Sequence, residues 1–494
     1  MAKIIAAYAR SKNEIVMGCA STALAASIYK DNFYTAHALF KIPVVEDEEE
    51  DLNQEGDLEC LLSKNLNRYN LLKETRVFIW DEISSQHVRD FSAAYRAMNG
   101  FDNKIIILMG DKMQIAPVVK YGSKIQILNA SIYNSDFMNY FTLYSFTQNL
   151  RLIASNDPNQ DNYAKTLLEI GKGIIFLFVN IFNIIIFHMI IKFLYYINNK
   201  YYFTLGTYFK DQINNQNSIK IIPQNELPID ESKPNKEIGT TTTIAFNNIG
   251  YETNVTNMIS FLHPNDFNIE TISTNCMLAV TNEQVDVWNN EIQKLNTQEI
   301  KCLLSNDSFN EIDDPNNFFK NMITDEVMNK FNENGKPPHI LNLKIGDICI
   351  LLRHVDNEKG LTSNTRVRIV NINPHRIIIQ SLESENPVTA SLCRFIFYLQ
   401  LPFKKSLKME RKQFPLRLAY SISINKSQGQ EFQKVGLDIT VPSFAHGHLY
   451  VSLSRIRNYN NIKFFVNDTN LIDNIPVTDN VVYEEIVNCF DNII

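Results

Sequence analysis

Two adjacent acids, Asp81 and Glu82, follow an apolar run in the stretch VFIWDEISS, residues 77–85. The apolar run predicts a buried strand, which places both carboxylates at the end of that strand. The first acid of such a pair can hold Mg²⁺, commonly through water, and the second can take the proton from an attacking water molecule. The pair therefore indicates a nucleoside triphosphatase, although a solvated strand end can carry the same two residues.

Two further polar side chains strengthen this hypothesis. The segment IIILMGDKMQIAPVV places Gln114 three residues after Asp111, and YSFTQNLRL places Arg151 after another apolar run. A glutamine at such a point can hydrogen-bond a terminal phosphate or orient the attacking water. An arginine that reaches the same phosphate would stabilise the charge that develops during hydrolysis.

The elements that must position these side chains follow an alternating pattern. EIVMGCAS, RVFIWDE and KIIILMGD are short apolar runs, and the helical pattern SSQHVRDFSAAYRAM lies between two of them. This alternation predicts a parallel sheet with crossover helices. Residues 340–400 contain several short β segments at a spacing typical of a small barrel, and residues 415–466 return to α/β character.

The composition limits the class of protein. The chain has 494 residues, 45% of them hydrophobic and 20% charged, which is ample for two or three packed domains. The net charge of −7 excludes a protein that is basic over its whole surface, but not a local basic groove. The seven cysteines include no CxxC pair, which suits a reducing compartment and gives no metal signature. Charged residues interrupt the N-terminal apolar run, so it resembles a secretory signal only loosely.

One apolar segment does not fit this pattern. Residues 174–203, IIFLFVNIFNIIIFHMIIKFLYYINNKYYF, have an apolar core at 174–197 that is long enough to span a bilayer. The segment lacks the Gly, Ala, Ser and Thr with which membrane helices pack, and His188 and Lys192 would be costly in lipid. Nearly all of its residues can be encoded by codons made only of A and T. A translated intron, which we favour, a buried insertion and a membrane helix all stay open.

Eight separated blocks follow the order of motifs in a known family. The first four are ASTALAASIY with YTAHALFKIP, FIWDEISS, GDKMQIAPV and FTQNLRL. The last four are LAVTNEQVDVWNNEI, LKIGDICILLRHVDNEKGLTSNTRVRIV, FPLRLAYSISINKSQGQEFQKVGLDI and FAHGHLYVSLSRIR. Together they resemble the Pif1-type superfamily 1 DNA helicases, closest to the Pif1-like helicases of eukaryotic genomes, including those of Helitron transposons. The resemblance covers nearly the whole chain apart from the region around residues 174–260.

The resemblance implies roles for residues around the nucleotide. Asp81 would hold Mg²⁺, and Glu82 would be the general base. Gln114 would sense the γ-phosphate of ATP, and two arginines would clamp it: Arg151 and Arg455. A nucleotide-binding role is also implied for three residues of the motif NKSQGQEF, residues 425–432: Gln428, Gly429 and Glu431. Many family members have Thr at the position of Glu431, so its role stays open, and Arg455 could instead belong to a surface ion pair.

The resemblance also implies contacts with single-stranded DNA. These contacts would come from two places in the chain: Ser21, Thr22, Thr35 and His37 near the N-terminus, and Asn425, Lys426 and Ser427 in the motif NKSQGQEF. A structural alternative exists for the first group, because Thr35 and His37 could simply cap a turn. Binding of single strands needs hydroxyl and amide donors for phosphates and flat side chains for bases, so a mildly acidic net charge is no objection.

The implied architecture is two RecA-like α/β domains with a small SH3-like β-barrel inserted in the second. The expected boundaries are 1–152 for the first domain, 153–173 with 204–339 for the start of the second, 174–203 for the apolar insertion, 340–410 for the barrel and 411–494 for the end of the second domain. The implied function is ATP-dependent DNA unwinding with 5′→3′ movement, in DNA repair, recombination, telomere maintenance or transposon replication. ATP and Mg²⁺ would be the cofactors, and single-stranded DNA and duplex junctions the partners. The protein would work in the nucleus, without a membrane, as a monomer or weak oligomer.

One expected element is missing from the printed sequence. A helicase of this class needs a Gly-rich loop ending in Gly-Lys-Ser/Thr, whose N–H groups cradle the phosphates at a helix N-terminus. None of the sixteen glycines begins GxxxxGK[ST]. In the family this loop lies upstream of the first motif, so we expect it to precede Met1 and the chain to be truncated. The alternatives are a non-catalytic nucleic-acid-binding remnant and, resting on residues 174–197, a membrane-anchored NTPase.

Overall fold

The computed structural model describes residues 2–29, 33–43, 58–64, 66–120, 122–144, 159–173, 220–221, 240–246, 249–264, 267–309, 323–356, 359–382, 387–401 and 404–489. Within these ranges the chain forms two parallel sheets and four antiparallel sheets. The predicted α/β class with parallel sheets is confirmed.

The first domain contains a four-stranded parallel sheet in the order β2-β1-β3-β4. Its strands are β1 (Val16–Ala20), β2 (Phe33–Thr35), β3 (Val77–Asp81) and β4 (Ile105–Leu108). The helices are Ala2–Ser11, Ala23–Ser27, Ala36–Phe40, Leu66–Glu74, Val88–Ala97 and Lys124–Ala130. Short 3₁₀ turns lie at Leu61–Lys64, Ile83–Ser85, Asn99–Phe101, Ile132–Asn134 and Asp136–Tyr140.

Strand β3 shows why a continuous apolar run is needed here. Successive side chains of a strand point to opposite faces of the sheet. Val77 and Ile79 pack against the alanines of the helix Ala2–Ser11, whereas Phe78 and Trp80 pack into an aromatic cluster on the other face. Because both faces are covered, the polar residues of this segment occur only where the strand ends.

The second domain contains a five-stranded parallel sheet in the order β19-β8-β20-β21-β7. Its strands are β7 (Gly250–Glu252), β8 (Cys276–Ala279), β19 (Ser421–Ser423), β20 (Val435–Asp438) and β21 (Ile462–Phe465). The helices are Asn159–Lys172, Val255–Leu262, Ile269–Thr274, Asn282–Gln293, His448–Leu453 and Glu484–Val487, with 3₁₀ turns at Ile424–Ser427, Tyr459–Asn461 and Asp468–Asn470. An antiparallel sheet in the order β22-β23-β6-β5 completes the domain: β5 (Lys220–Ile221), β6 (Thr240–Ala245), β22 (Leu471–Ile472) and β23 (Ile475–Val482).

Antiparallel strands are inserted between β8 and β19. Five of them form a sheet in the order β15-β14-β13-β12-β18: β12 (Ile348–Leu351), β13 (Arg366–Ile372), β14 (Ile377–Ser381), β15 (Thr389–Leu392) and β18 (Leu416–Leu418). The others are β9 (Lys301–Leu304) paired with β11 (Ile340–Leu343), and β10 (Asn306–Phe309) with β17 (Lys404–Gln413) and β16 (Phe395–Leu401), beside the helix Asp325–Lys330. The five-stranded sheet ends beyond residue 410, and its closure into an SH3-like barrel stays a prediction.

Two buried charged residues join this five-stranded sheet to the second domain. Arg366 of β13 donates to the carbonyls of Ser273 (3.0 Å) and Ala419 (3.1 Å). Asp347, which is fully buried, accepts hydrogen bonds from Gln293 Nε2 (2.6 Å) and Tyr420 Oη (2.8 Å). A buried charge is tolerated only when its hydrogen bonds are satisfied, so these contacts fix the junction in one arrangement.

Two predictions fall outside the described residues: Arg151 and the apolar segment 174–203. Among the residues that the structure does describe, no helix has the length and apolar character needed to cross a bilayer.

Candidate active site

The predicted acid pair lies at the carboxyl edge of the first parallel sheet. Asp81 is the last residue of β3 and is next to Ala20 of β1 in the strand register. Glu82 follows with a φ of 52°, in the left-handed region that a residue with a side chain adopts at an energetic cost. The N–H of Ile83 donates to the carbonyl of Met109 (3.0 Å), which holds this turn against the end of β4.

Asp81 is oriented by one side chain and one backbone group. Its Oδ2 accepts a hydrogen bond from Tyr29 Oη (2.5 Å), and its Oδ1 accepts one from the N–H of Glu82 (2.9 Å). Burial raises the pKa of the Tyr29 hydroxyl, and the hydrogen bond to Asp81 raises it further. Tyr29, whose ring stacks on Phe33 at a centroid distance of 4.1 Å, is therefore a fixed neutral donor.

The pKa of the Glu82 carboxyl is raised, chiefly by burial and next by the charge of Asp81. Asp111 raises this pKa as well, whereas Arg455 and a hydrogen bond from Gln428 lower it. A carboxylate with a raised pKa is a stronger base than one in water, as a residue that deprotonates water needs to be.

Gln114 lies in a turn after β4 that Asp111 organises. The carbonyl of Asp111 accepts from the N–H of Gln114 (3.0 Å), and Oδ1 of Asp111 accepts from the N–H of Met113 (3.0 Å). The second carboxylate oxygen of Asp111 accepts from Gln114 Nε2 (3.4 Å). The amide nitrogen of Gln114 is thereby turned toward its own domain, which leaves the amide oxygen to meet the second domain.

Gln428 connects the two domains at this point. It ends the 3₁₀ turn Ile424–Ser427 of the second domain. Its Nε2 donates to Gln114 Oε1 (2.9 Å) and to Glu82 Oε2 (3.4 Å). The structure therefore brings together three predicted nucleotide residues that are up to 346 positions apart in the chain.

Arg455 lies behind this contact, with only 3% of its surface exposed, so it is not part of a surface ion pair. Its guanidinium donates to the carbonyls of Val451 (2.9 Å) and Gln430 (3.0 Å) and to Ser454 Oγ (2.7 Å). Its positive charge opposes the rise in the pKa of Glu82. Arg455 is thus a cation at the domain boundary, anchored to the motif 425–432.

The acidic side chains here fit Mg²⁺ in the way triphosphatases use it. Among the described residues, no group of three or more His, Cys, Asp and Glu side chains is arranged to hold a metal by itself. Mg²⁺ commonly keeps several waters and takes one or two carboxylates together with substrate phosphates. The negative charges of Asp81 and Asp111 both raise the pKa of Glu82, and a cation beside Asp81 would relieve the repulsion that Glu82 experiences.

The predicted DNA residues of the first domain share one edge of its sheet. Thr35, at the end of β2, is paired with Ala20, which directly precedes Ser21 and Thr22. Thr22 and Thr35 cap the helices Ala23–Ser27 and Ala36–Phe40 with their hydroxyl oxygens. Thr35 therefore caps a turn, as the sequence allowed. Because its hydroxyl oxygen acts as the acceptor in this cap, the hydroxyl proton stays available as a donor.

His37 and Ser21 have partners within the first domain. His37 Nε2 lies 3.8 Å from Oδ2 of the buried Asp90. The hydroxyl of Ser21 shares a hydrogen bond of 2.7 Å with that of Ser85. This second contact links the end of β1 to the turn that follows Glu82.

The motif 425–432 divides into exposed and buried residues. Asn425 is exposed, and burial lowers the pKa of Lys426, as does the nearby Arg417. Ser427 is fully buried and its hydroxyl donates to the carbonyl of Ile424 (2.7 Å), so in this conformation its side chain is not open to DNA.

The remaining two motif residues differ in setting. Gly429 has a φ of 79°, which favours glycine, and a Cβ there would lie 3.7 Å from Leu24 of the first domain. Glu431 forms an exposed ion pair with Arg457 of its own domain.

Sequence reasoning did not identify Tyr29 and Asp111 as site residues. Tyr29 lies 52 positions from Asp81 and ends the block ASTALAASIY, in which the resemblance implied no role for it. Asp111 follows Gly110, where a Cβ would lie 2.9 Å from side-chain atoms of Ile83 and Tyr133. The only available sign was the pair Gly110-Asp111 at a strand end, which marks a close approach followed by a polar turn.

Models of two protein families match parts of the chain. Residues 1–177 match the model of the PIF1-like helicase family, and residues 326–372 match that of the DNA helicase Pif1, 2B domain. The ATP-dependent DNA helicase PIF1 of Danio rerio is 32% identical over 129 residues, which are 25% of this chain and 19% of that protein. The chain thus spans about a fifth of the length of this relative.

Solved structures share the fold over most of the chain. The Pif1 helicase from Candida albicans superposes with a TM-score of 0.56 at 16% identity, over 100% of this chain and 92% of that one. The Pif1 helicase from Bacteroides in complex with ADP-AlF3 and ssDNA gives a TM-score of 0.53 at 17% identity, over 93% and 84% of the two chains. The two family matches show that residues 1–177 and 326–372 are similar to Pif1-like helicases, and the solved structures show that the chain shares the fold of those proteins.

Proposed function

We propose that the protein is an ATP-dependent DNA helicase that moves 5′→3′ on a single strand, separates duplexes at junctions and acts in the nucleus. The Danio rerio relative is an ATP-dependent DNA helicase, and the Bacteroides structure holds ADP-AlF3 and ssDNA. DNA repair, recombination, telomere maintenance or transposon replication would use such an activity.

The observation that carries the proposal is the hydrogen-bonded path between the domains. Gln428 Nε2 reaches both Gln114 Oε1 (2.9 Å) and Glu82 Oε2 (3.4 Å). The proposed base, Glu82, and the proposed phosphate sensor, Gln114, would thus meet the motif 425–432 of the other domain, which would couple the nucleotide to the grip on DNA and is called here the DNA-coupling motif. In a helicase, ATP binds at such a boundary and its hydrolysis changes how the domains meet, which alternates the grip on the strand.

Each residue at the boundary would have a distinct task in hydrolysis. Glu82 would accept the proton of the attacking water, and Gln114 would donate its amide to the terminal phosphate. Arg455 would stabilise the negative charge that develops on that phosphate. Asp81, oriented by Tyr29, would hold Mg²⁺, which when bound neutralises charge on the phosphate oxygens.

The DNA strand would run along the edge where β1 and β2 end. Hydroxyl donors at Ser21, Thr22 and Thr35 suit contacts with phosphate oxygens, and the exposed amide of Asn425 suits a phosphate or a base edge. A Cβ at Gly429 would lie 3.7 Å from Leu24, so the motif 425–432 comes close to the helix that Thr22 caps.

Strand separation on forked DNA tests the proposal. The 494-residue chain and a version preceded by a GxxxxGK[ST] segment are compared for DNA-stimulated ATP hydrolysis and for unwinding. We expect the second version to hydrolyse ATP and to unwind forks with a 5′ single-stranded tail. Unwinding of forks that have only a 3′ tail would contradict the proposed direction.

Two variants show whether hydrolysis comes from this site. Glu82→Gln should abolish hydrolysis, whereas Glu299→Gln, which removes one charge from an exposed ion pair with Lys301 (2.6 Å), should not change it. If both versions of the chain bind single-stranded DNA but neither hydrolyses ATP, the protein is a non-catalytic nucleic-acid-binding protein instead.

A further inference from the structure

The segment HGHLY, residues 446–450, brings polar side chains to the domain boundary that the proposed chemistry does not use. It opens the helix His448–Leu453 and leads directly to Arg455. His446 and His448 are each only 1% exposed. Buried imidazoles need hydrogen-bond partners, so the partners that they have found indicate what they do.

Tyr450 contacts Asp111, which organises the turn of residues 111–114 that holds Gln114, called here the sensor turn. Its Oη donates to Asp111 Oδ2 at 2.8 Å. The same oxygen accepts from Gln114 Nε2 (3.4 Å), and the other carboxylate oxygen accepts from the N–H of Met113 (3.0 Å). A side chain of the second domain therefore fixes the carboxylate that orients the Gln114 amide.

His446 holds the same turn through the backbone. Its Nδ1 accepts from the N–H of Tyr483 (3.0 Å), so in the neutral ring the proton lies on Nε2. That nitrogen lies 3.0 Å from the carbonyl of Lys112, to which it donates. The imidazole thus joins a backbone group of the second domain to a backbone group of the sensor turn.

Gly447 makes this approach sterically possible. Its φ is 76°, and a Cβ there would lie 2.6 Å from the carbonyl oxygen of Met113 and 2.7 Å from the carbonyl carbon of Gln114. Any other residue at 447 would therefore push the sensor turn away. An apolar cluster continues the contact, since Tyr483 and Ile486 pack against Ala116 and Leu128 just beyond Gln114.

His448 connects the same helix to the other side of the site. Its Nε2 lies 2.9 Å from Asn425 Oδ1, to which it donates. Asn425 is the first residue of the motif 425–432, whose later carbonyl at Gln430 is held by Arg455. One short helix therefore touches the sensor turn at its start and the DNA-coupling motif along its side.

We propose that residues 446–450 of the second domain are positioning residues, which fix the orientation of the Gln114 side chain in the first domain. Gln114 then lies where it can read the terminal phosphate only while the two domains are docked. His448 connects this helix to Asn425 by a hydrogen bond, so the helix His448–Leu453 links the residue that senses phosphate to a residue that contacts the strand. The inference rests on the proposed function and adds to it the device that links the two sites.

Hydrogen–deuterium exchange of residues 110–116 tests the positioning without nucleotide. Tyr450→Phe removes a hydrogen bond to a charged acceptor, so we expect the amides of Met113 and Gln114 to exchange about tenfold faster. Tyr420→Phe is the matched control, because it removes a 2.8 Å hydrogen bond to Asp347, far along the chain from this turn. Unchanged exchange in Tyr450→Phe, or an equal change in the control, would overturn the inference.

Two further pairs separate positioning from folding. Gly447→Ala should speed exchange at the turn, whereas Gly335→Ala, at a similar φ of 81° with no atom within 4 Å of its Cβ, should not. For His446, Gln places a donor near Nε2 and Asn places an amide near Nδ1. We expect protection to be kept by His446→Gln and lost by His446→Asn, and the reverse order would contradict a contact across the domains.

Nucleotide discrimination shows whether the positioning serves the sensor. The ratio of the dissociation constants for ADP and for a non-hydrolysable ATP analogue is measured in the version that carries the GxxxxGK[ST] segment. We expect Tyr450→Phe to reduce this ratio by about tenfold while ADP affinity changes little. A wild-type protein that binds neither nucleotide would refute the proposed function, and the exchange data alone would then decide the positioning. A discriminating wild type with an unchanged Tyr450→Phe variant would refute only the role in sensing.

Discussion

Replacing Glu82 by Gln separates the chemistry of the site from its stability. The substitution keeps the size of the side chain and an oxygen that can accept from Gln428, but it removes the basic carboxylate. General-base catalysis contributes roughly 10²–10⁴-fold to a rate, so hydrolysis should fall by that factor. The bond from Gln428 is long, at 3.4 Å, so its alteration should cost less than about 1 kcal/mol and change nucleotide affinity less than about fivefold.

The same substitution should make the folded protein more stable at neutral pH. Burial and the charge of Asp81 raise the native pKa of Glu82 above its ordinary value of 4.5. The native state therefore binds the proton more tightly than the unfolded state, and stability falls as pH rises from 4.5 through the native pKa. Removing the charge removes this loss, so the advantage of Glu82→Gln should be present at neutral pH and vanish below pH 4.5.

Three measurements on one variant check this reasoning. Phosphate release gives the rate, fluorescence titration gives nucleotide affinity, and thermal unfolding at neutral and acid pH gives the stability difference. We expect a large loss of rate, nearly unchanged affinity and a higher melting temperature at neutral pH only. A variant that hydrolyses ATP at the wild-type rate would show that the acid pair is not the catalytic site. A variant less stable than the wild type at neutral pH would show that the buried charge is fully compensated.

Three other substitutions or deletions have expected outcomes. Asp81→Asn removes a charged oxygen ligand, so nucleotide affinity should lose its dependence on Mg²⁺ in a titration of the metal, whereas binding without Mg²⁺ should persist. Burial lowers the pKa of His263 to about 4, so the free energy of unfolding should rise with pH between about 4 and 6.5. In denaturant unfolding, His263→Phe should reduce the slope of that rise by up to about 1.4 kcal/mol per pH unit, and an unchanged slope would contradict this expectation. Deleting residues 174–203 should raise solubility and preserve the melting transition, because long apolar segments promote aggregation; loss of the transition would exclude the intron interpretation.

Short continuous apolar runs that alternate with helical patterns were enough to predict the parallel sheet of the first domain. Strand β3 is buried on both faces, so every residue before Asp81 had to be apolar, and the first polar residues marked the functional edge. The acid pair and Gln114 were recognisable for the same reason, since each follows a strand. Local sequence was therefore sufficient to identify candidate site residues that directly follow a strand.

Contacts between distant segments could not be predicted in this way. Tyr29 meets Asp81, and Gln428 meets Glu82 and Gln114, only because separate elements of the fold converge on one edge. The hydroxyl of Thr35 is another case. The sequence left open whether it caps a turn or contacts a ligand, and the structure shows the cap. The sequence also could not show that Ser427 is buried whereas Asn425 is exposed, because both belong to one motif.

The junction of the five-stranded sheet with the second domain has a mechanical consequence. Arg366 of β13 and Asp347, which directly precedes β12, tie the sheet to the helices Ile269–Thr274 and Asn282–Gln293 through buried hydrogen bonds. A sheet joined in this way does not rotate independently of the second domain; it moves with that domain as a rigid unit. If the second domain tilts relative to the first, the sheet moves with it, and its edge strand β15 moves farther than the residues at the junction.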